Sequence, residues 1–305
     1  MSLSDRIVAV VGPTASGKSS LAVRIAQELG SAEVVNADSM QLYRGMDIGT
    51  AKPTPAERAA VPHHLFDVLD VTETATVAQF QTMARSVVAD CHARRVTPVL
   101  VGGSALYVRA VLDHLDFPGT DPVVRQRWAD ALETRGAAAL HAELARQDPA
   151  AADQILPTND RRIVRALEVI ELTGRPFTAT MPGFDSVYGV VEMLGLDVPR
   201  DVLDVRLSDR VDQMWADGFV DEVRALLPAG IEDGLTASRA LGYQQILAFL
   251  RGEMTEDEAR EATVTGTRKF ARAQDRFFRK DPRVHWLPHD ASDVLERAMA
   301  VIGTS

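Results

Sequence analysis

The sequence predicts an α/β fold in which helices flank a parallel sheet, with a helical insertion later in the chain. Residues 7–11 and 98–101 are short, largely apolar runs, each followed by a glycine. Such runs are typical of strands buried on both faces of a parallel sheet. Between them, residues 17–29 carry Leu and Ile at every fourth position, as one face of an amphipathic helix does. A further short strand at residues 33–36 completes a strand–helix–strand unit, from which parallel sheets are built.

The predicted insertion begins after the strand at residues 98–101 and a following helix. From about residue 121 to 174, runs of β-branched residues almost disappear, and Ala, Glu, Arg and Leu dominate, which indicates helices. Residues 174–183 carry two prolines and two glycines, which suits a loop returning to the sheet. We therefore expect an α/β core domain with C-terminal helices, residues 1–117 and 184–305, and a helical insertion domain over residues 118–183.

Beyond the insertion, the chain returns to the pattern of the core. Residues 187–196 are rich in Val, Leu and Met and predict another strand. Three helical segments and a last short strand follow, at residues 200–227 with a break near Gly218, 238–250, 256–279 and 284–287. The core domain is therefore expected to be discontinuous in sequence.

Composition and charge exclude several classes of protein. The single cysteine, Cys91, rules out a disulfide framework and a cysteine-rich zinc site within the chain and suits a packed thiol. No apolar run approaches the roughly 20 residues that span a bilayer, and the N-terminus lacks a basic segment and a cleavage site. We expect a cytoplasmic, monomeric protein without membrane contact. The net charge of −10 disfavours nucleic-acid binding unless basic residues gather on one face.

A phosphate-binding loop follows the first strand. Residues 12–19 read GPTASGKS and fit the pattern G-x-x-x-x-G-K-[ST]. The glycines let backbone N–H groups converge on phosphate oxygens, the helix that begins here adds its positive end, and Lys18 adds a full charge. The Ser19 hydroxyl is placed to ligate Mg²⁺. We predict diphosphate binding by the whole loop: Gly12, Pro13, Thr14, Ala15, Ser16, Gly17, Lys18 and Ser19.

The loop and its flanking strand and helix indicate a P-loop NTPase-like core, but they leave the phosphate compound open. The N-K-x-D motif with which GTPases usually read their base does not occur in the sequence. A small-molecule kinase, an ATPase and a transferase that uses a diphosphate all remain open from the loop alone.

An acidic residue, Asp38, lies at the end of the second predicted strand. The carboxyl ends of neighbouring parallel strands share one edge of a sheet, so we expect Asp38 in the crevice beside the phosphate loop. Taken alone, an Asp at this position serves a turn or a cap more often than it serves catalysis.

Residues 38–53 extend this segment and read DSMQLYRGMDIGTAKP. They resemble the signature of the tRNA dimethylallyltransferases of bacterial type, also called isopentenyl-diphosphate:tRNA transferases, and the phosphate loop resembles that of the same family. Five later blocks follow in the family's order: VGGSALY at residues 101–107, RIVRALEV at 162–169, GLD at 195–197, RALGY at 239–243 and TRKFARAQ at 267–274. The resemblance therefore covers nearly the whole chain.

The chain departs from the family pattern at three points. Ser104 stands where the family commonly has Thr, which keeps the hydroxyl and loses a methyl group. Ala273 stands where the family often has a second basic residue. One cysteine is too few for the zinc finger that eukaryotic members carry.

The resemblance implies transfer of a dimethylallyl group from dimethylallyl diphosphate to N6 of the adenosine 3′ of the anticodon in tRNA, with release of diphosphate. The adenine amine is a poor nucleophile, and the resemblance gives Asp38 the role of its general base. Lys18, Mg²⁺, the loop amides and Arg210 or another cleft arginine are expected to stabilise the leaving diphosphate. Ser104 is implied in binding the diphosphate or steadying the acceptor. Alternatively, Ser104 caps a helix and Arg210 forms a surface salt bridge.

Two groups of residues are expected to contact the anticodon loop of tRNA. Arg268, Arg272 and Arg276 recur every four residues and Arg279 follows three residues later, so a helix places all four on one face that suits a phosphate backbone. Alternatively, that face is solvated and paired with acids such as Asp275. The second group lies in the insertion and around the acceptor base: Asp38, Ser39, Met40, Gln41, Ser104, Gln126, Arg161, Arg162, Arg165, Arg239, Leu241, Gly242, Tyr243 and Gln244. Of these, Tyr243 equally suits the core.

Three other functions stay open at this point: a small-molecule kinase, a prenyltransferase acting on free adenine nucleotides, and a nucleotide-dependent RNA-binding switch. The long block that begins at Asp38 speaks against the kinase. The helical insertion and the arginine face speak against a free nucleotide as acceptor. A switch would keep its function after Asp38→Asn, whereas a prenyltransferase would lose most of its rate.

Overall fold

The computed structural model describes residues 6–177 and 183–303, which form two compact units. The core unit comprises Met1–Leu112 and Tyr188–Ser305, and the insert unit comprises Asp113–Val187. Each unit has an apolar core of its own.

The insert unit extends beyond residues 118–183 at both ends because its incoming and outgoing segments pair with each other. Asp113 and Ser186 form an antiparallel bridge, and the His114 N–H donates to the Asp185 carbonyl at 3.1 Å. The middle of the predicted return loop, residues 178–182, lies outside the described residues.

A six-stranded sheet forms the centre of the core unit, and all of its strand pairs are parallel. The order across the sheet is β3-β2-β4-β1-β5-β6, with bounds Arg6–Val11 (β1), Ala32–Asn36 (β2), His63–His64 (β3), Thr97–Gly102 (β4), Val190–Asp197 (β5) and Val284–Pro288 (β6). All five predicted strands are present, and β3 is an unpredicted addition at one edge. The predicted α/β fold, a parallel sheet flanked by helices, is confirmed.

Thirteen α-helices accompany the strands in the described residues. In chain order they are Lys18–Leu29 (α1), Pro55–Ala60 (α2), Val77–Ala93 (α3), Ala105–Leu112 (α4), Pro122–Arg135 (α5), Ala137–Gln147 (α6), Pro149–Gln154 (α7), Asp160–Thr173 (α8), Arg200–Ala216 (α9), Phe219–Leu226 (α10), Tyr243–Leu250 (α11), Glu256–Phe278 (α12) and Val294–Gly303 (α13). Helices α5 to α8 make up the insert unit. None of these helices is both long and apolar enough to cross a membrane.

The central strands are buried on both faces, as their apolar runs predict. On one face, Ala9 of β1 packs in a cluster with Phe80 of α3 and Val108 of α4. On the other face, Val10 packs in a cluster with Ile25 of α1. Successive side chains of a strand point to opposite faces, so a strand covered by helices on both sides is apolar at every position.

Two glycines interrupt the helices that follow β5. Gly218 (φ 96°) separates α9 from α10, which confirms the predicted break. Gly242 (φ 86°) precedes α11, so the helix predicted over residues 238–250 is split into a 3₁₀ turn at Ala237–Arg239 and α11. A positive φ is incompatible with a continuous right-handed helix, and glycine adopts it most easily.

Candidate active site

The phosphate loop connects β1 to α1 at the carboxyl edge of the sheet. Ala15 (φ 63°) and Gly17 (φ 97°) have left-handed backbone conformations, which curl the chain ahead of the first helical turn. Helix α1 begins at Lys18, so its unpaired N–H groups and positive end lie at this curl. The Ser16 hydroxyl is buried and has no hydrogen-bond partner in the described chain, which suits a group that binds an external anion.

Lys18 is mostly buried against the loop, and its Nζ donates to the Pro13 carbonyl at 3.3 Å. Burial lowers the pKa of the Lys18 ammonium to about 8, while the Asp38 charge raises this pKa and the Arg210 charge lowers it by smaller amounts. A bound anion favours the charged form and therefore binds best while Lys18 keeps its proton.

This lowered pKa makes anion binding sensitive to pH. Above about pH 8 the free protein loses the Lys18 proton, so we expect the dissociation constant for inorganic diphosphate to rise by up to about tenfold per pH unit. Calorimetric titrations between about pH 7 and about pH 9.5 would measure this. Lys18→Met is the control for ionisation of the ligand itself, and an inflection near pH 8 that persists in this variant would contradict the assignment.

Asp38 follows β2 at the same edge of the sheet. The Asn36 side chain fixes its backbone by accepting the Asp38 N–H at 2.8 Å and donating to the Asp38 carbonyl at 3.0 Å. Asp38 Oδ1 accepts the Met40 N–H at 3.0 Å, so the residue does form the turn considered above. Oδ2 has no hydrogen-bond partner among the described residues. One carboxylate oxygen therefore serves the turn, and the other is free to accept a proton.

Two cavities meet at Asp38. The phosphate cavity, about 100 Å³, is lined by Lys18, Ser19 and Asp38 among others. The apolar cavity, about 340 Å³, has walls that include Leu207, Val211, Met214, Phe219 and Leu241. Four residues line both cavities: Thr14, Asp38, Thr50 and Arg210. An anion in the first cavity and a planar group in the second would therefore meet at the Asp38 carboxylate.

Arg210 of α9 reaches the point where the cavities meet. Burial lowers the pKa of its guanidinium, and the nearby Asp38 charge opposes this shift. Within residues 6–177 and 183–303 it makes no hydrogen bond or ion pair, so the surface salt bridge considered for it is not formed. A mostly buried cation without a protein partner fits a site that binds an anion.

Ser104 lies across from Asp38 at the start of α4. Its carbonyl accepts the Tyr107 and Val108 N–H groups at 2.8 and 3.0 Å, which begins the helix. Its hydroxyl lies 3.4 Å from the Ser39 backbone nitrogen and 3.5 Å from the Ser39 hydroxyl, and the residue lines the apolar cavity. The Ser104 hydroxyl therefore faces the segment after β2. It does not cap α4, which was the alternative role considered for this residue.

Gln274 of α12 joins two loops of the site that are distant in sequence. Its Oε1 accepts the Thr14 N–H and its Nε2 donates to the Gly103 carbonyl, both at 2.9 Å, and the side chain is buried. A Cβ on Gly103 would lie 2.3 Å from Gln274 Nε2, so this contact requires glycine. In the sequence, Gln274 stands out only as the last residue of the block TRKFARAQ, and no local pattern signals this contact.

Two residues predicted to contact the acceptor base instead support the cavity wall. Gln41 donates its amide to the Thr50 and Ala51 carbonyls at 3.0 and 3.2 Å. Tyr243 is fully buried, and its hydroxyl donates to Glu222 at 2.6 Å, which agrees with the core alternative.

The other predicted base contacts differ in their accessibility. Ser39, Met40, Arg239 and Leu241 line the apolar cavity beside Asp38 and Ser104. Gly242 is buried, whereas Gln244 is exposed. Four residues of the predicted set are therefore placed, with Asp38 and Ser104, to touch a group inside the cavity.

Helix α12 carries the predicted arginine face, which lines a surface groove of about 680 Å³. Arg268 donates to the Asp204 carbonyl at 3.1 Å, and the Arg272 guanidinium lies 3.8 Å from the Asp204 carboxylate. Arg276 is exposed and makes no ion pair with a residue that the structure describes. The face is therefore partly paired and partly free for an external anion.

Arg279 directly follows the last residue of α12, at the end of the same face, and its guanidinium is held by contacts within the protein. It pairs with Asp197 and with Asp275, the latter at 3.3 Å. Its guanidinium also lies 3.8 Å from the centre of the Trp286 ring. The alternative considered for the whole face was pairing with acidic residues. Of the four arginines, only Arg279 is fully paired in this way among the described residues.

The arginines of the insert unit are of two kinds. Arg165 donates to the Pro118 carbonyl at 2.6 Å and to the buried Glu168 at 2.9 Å, so its guanidinium orders the start of the unit. Three other members of the predicted tRNA set in this unit are exposed: Gln126, Arg161 and Arg162. The last two have side chains without a hydrogen bond in the described ranges.

The oxygen groups of the phosphate cavity fit a magnesium ion. Ser19 lines it, and a hydroxyl oxygen is a ligand that Mg²⁺ accepts alongside phosphate oxygens and water. A second cluster, Glu33, His64 and Cys91, fits a metal poorly because Arg94 binds both Glu33 oxygens at 2.7 and 2.8 Å. Burial raises the pKa of the Cys91 thiol to about 11, as expected of a packed cysteine.

Comparisons with known proteins give consistent matches over most of the chain. The family model described as IPP transferase matches residues 41–281. A tRNA dimethylallyltransferase of Thermobifida fusca is 63% identical over 300 residues, which cover 97% of this chain and 94% of the relative. A tRNA dimethylallyltransferase of Streptomyces coelicolor is 62% identical over 291 residues, which cover 95% of this chain and 93% of the relative.

Solved structures with the same fold include a tRNA isopentenylpyrophosphate transferase from Bacillus halodurans. It is 39% identical, with a TM-score of 0.72 and coverage of 98% of this chain and 96% of its own. A eukaryotic dimethylallyltransferase acting on tRNA is 25% identical, with a TM-score of 0.81 and coverage of 98% of this chain and 79% of its own.

Proposed function

The chain belongs to the tRNA dimethylallyltransferase family, and on that premise we propose how its residues carry out the transfer. The enzyme moves a dimethylallyl group from its diphosphate donor to tRNA. We propose that the donor is dimethylallyl diphosphate, that the acceptor atom is N6 of the adenosine 3′ of the anticodon, and that diphosphate is the second product.

Asp38 acts on the acceptor. In the transfer, the allylic carbon forms a bond to N6, its bond to the diphosphate oxygen breaks, and N6 loses a proton. The lone pair of the amine is delocalised into the purine ring, so removal of the proton as the bond forms lowers the barrier. The Asp38 oxygen that does not bind the Met40 N–H accepts this proton.

The leaving diphosphate gathers negative charge, which positive groups around the phosphate cavity stabilise. Lys18 and Arg210 supply the side-chain charges, and the loop supplies N–H groups. Mg²⁺ held through Ser19 would neutralise part of the phosphate charge. Ser104, at the edge of the apolar cavity, steadies the adenine or a diphosphate oxygen through its hydroxyl.

The apolar cavity receives the adenine and the dimethylallyl group. An allylic group that loses its diphosphate reacts readily with water, so the transfer requires a site from which water is excluded. Side chains such as Leu207, Val211 and Met214 provide apolar walls, and the incoming base would close the opening. One observation carries the proposal: an anion-binding loop, an apolar cavity and a partly free carboxylate meet at Asp38.

A labelling experiment tests this function. The protein is incubated with Mg²⁺, labelled dimethylallyl diphosphate and unmodified tRNA, and the RNA is digested to identify the labelled nucleoside. We expect label on N6 of the adenosine 3′ of the anticodon. RNA without label in the presence of folded protein, or label on free adenine nucleotides instead, would contradict the proposal.

The arginine face of α12, together with Arg161 and Arg162, is proposed to bind the tRNA backbone. Arg276→Ala should raise the dissociation constant for tRNA and reduce the slope of log affinity against log salt by about one, because one phosphate contact is lost. Filter binding over a range of salt concentrations measures both quantities. Arg297→Ala on α13, which removes an exposed arginine paired with Asp293, is the matched control and should leave the slope unchanged. An equal slope in the two variants would place Arg276 outside the interface.

We further propose that one copy of the chain is sufficient and that it acts in the cytoplasm. Asp38, Lys18 and Arg210 all come from one core unit, which supports a monomeric active species. Mass photometry of the protein with tRNA under turnover conditions should give a complex of one chain with one tRNA.

A further inference from the structure

The carboxylate of Glu222 accepts hydrogen bonds from four donors in two distant parts of the chain. Oε2 accepts the Asp47 and Ile48 N–H groups at 2.9 and 2.6 Å. Oε1 accepts the Gly49 N–H at 3.2 Å and the Tyr243 hydroxyl at 2.6 Å. Consecutive backbone N–H groups that converge on one anion form a nest, and here a side chain of the protein itself fills it.

The nest is packed against two aromatic rings. A Cβ on Gly49 would lie 2.2 Å from the Phe219 ring and 2.6 Å from the Tyr243 ring, so the segment approaches more closely than any side chain would allow. The two rings meet edge to face, with centroids 4.9 Å apart. Phe219 and Glu222 lie on the same helix, α10, so that helix fixes both the backbone and its packing partner.

This segment borders one cavity much more than the other. Gly49 lines the apolar cavity together with Thr50, Phe219 and Tyr243. Among the described residues that line the phosphate cavity, neither Glu222 nor any of residues 47–49 is present. Thr50 lines both cavities, but its carbonyl is also held by the Gln41 amide at 3.0 Å. A change at Glu222 should therefore affect the acceptor side more than the phosphate side.

We propose that Glu222 is a positioning residue for the acceptor base: its carboxylate holds residues 47–49 so that Gly49 and Thr50 form one wall of the apolar cavity. This inference rests on the proposed function, because it assigns that cavity to the tRNA adenine. Glutamine at this position replaces one carboxylate oxygen with an NH₂ group, which donates hydrogen bonds and cannot accept them from the four donors around it. At least one backbone N–H then loses its partner, and the wall moves.

Steady-state kinetics with each substrate varied in turn test the proposal. Glu222→Gln should raise the KM for tRNA by about tenfold or more, while the KM for dimethylallyl diphosphate stays within about threefold. Asp221→Asn is the matched control. It removes the same charge one residue away on α10, where the side chain is exposed and pairs with Arg224, and both KM values should stay unchanged. A variant that merely folds less well would lower kcat and leave both KM values as they are.

Amide hydrogen exchange provides a readout that is independent of turnover. In Glu222→Gln, the amides of Ile48 and Gly49 should exchange about tenfold faster or more, while those of the phosphate loop stay unchanged. A tRNA KM within threefold of the wild type, or equal rises in both KM values, overturns the proposal. A wild-type protein that does not prenylate tRNA refutes the proposed function instead, whereas the exchange rates still decide whether Glu222 holds the segment.

Discussion

Asp38→Asn is expected to lower the rate constant of prenyl transfer by about 10²–10⁴-fold, the usual contribution of a positioned general base. Asparagine keeps an oxygen that can accept the Met40 N–H, so the turn after β2 stays formed. Its amide does not take up a proton at neutral pH, so the loss reports proton transfer and not a change of fold. Affinity for tRNA should change by less than about 1 kcal/mol.

Single-turnover measurements with enzyme in excess isolate this step, because product release does not enter the observed rate. Filter binding gives the affinity of the same variant for tRNA. Asp38→Ala is the matched comparison: it should lose as much rate and also lower the melting temperature, since the turn loses its acceptor. A nearly wild-type rate in Asp38→Asn would leave Asp38 as a turn residue and bring back the RNA-binding switch as the better hypothesis.

The phosphate loop could be predicted from sequence because what determines it is local. Residues 12–19 need glycines, a lysine and a hydroxyl at fixed spacing, and the strand and helix beside them have clear periodicities. β1 and α1 accordingly lie within one residue of the expected bounds. The place of Asp38 followed from topology, since parallel strands end at one edge of the sheet.

Elements that depend on the rest of the fold were missed. β3 is two residues long, and His63 and His64 form a strand because β2 lies beside them. Helix α13 packs Ala298 and Ile302 against the sheet. So short an apolar stripe cannot be recognised as a buried helix face before the position of the sheet is known.

The contacts that assemble the site join residues far apart in sequence. Gln274 and Thr14 are 260 positions apart, and Glu222 and Asp47 are 175 positions apart. No spacing rule relates such pairs, because the packing of α10 against α9 and α11, and of α12 against α4 and α9, sets their distance. The family resemblance also could not show that Arg165 forms hydrogen bonds within the insert unit. Those bonds depend on how residue 118 and residue 165 are brought together by the fold.

Arg210→Met is expected to raise the KM for dimethylallyl diphosphate and to lower kcat by about 10²–10³-fold, as loss of a group that stabilises transition-state charge does. The guanidinium lies where the two cavities meet and has no ion pair in the described part of the chain. Its positive charge is therefore available to a leaving diphosphate. Arg206→Met, one turn earlier on α9 and half-buried, removes the same charge outside both cavities and should leave both constants unchanged.

Thermal unfolding separates this role from a structural one. A mostly buried charge that lacks a partner destabilises the free protein, so Arg210→Met should melt at the same temperature as the wild type or higher when no ligand is present. Inorganic diphosphate should then raise the melting temperature of the wild type more than that of the variant, because a ligand stabilises the state that binds it. If Arg210 served mainly to hold Asp38 in place, the variant would melt lower without ligand, and diphosphate would stabilise both proteins alike. The difference between the two melting-temperature shifts thus measures what Arg210 contributes to diphosphate binding.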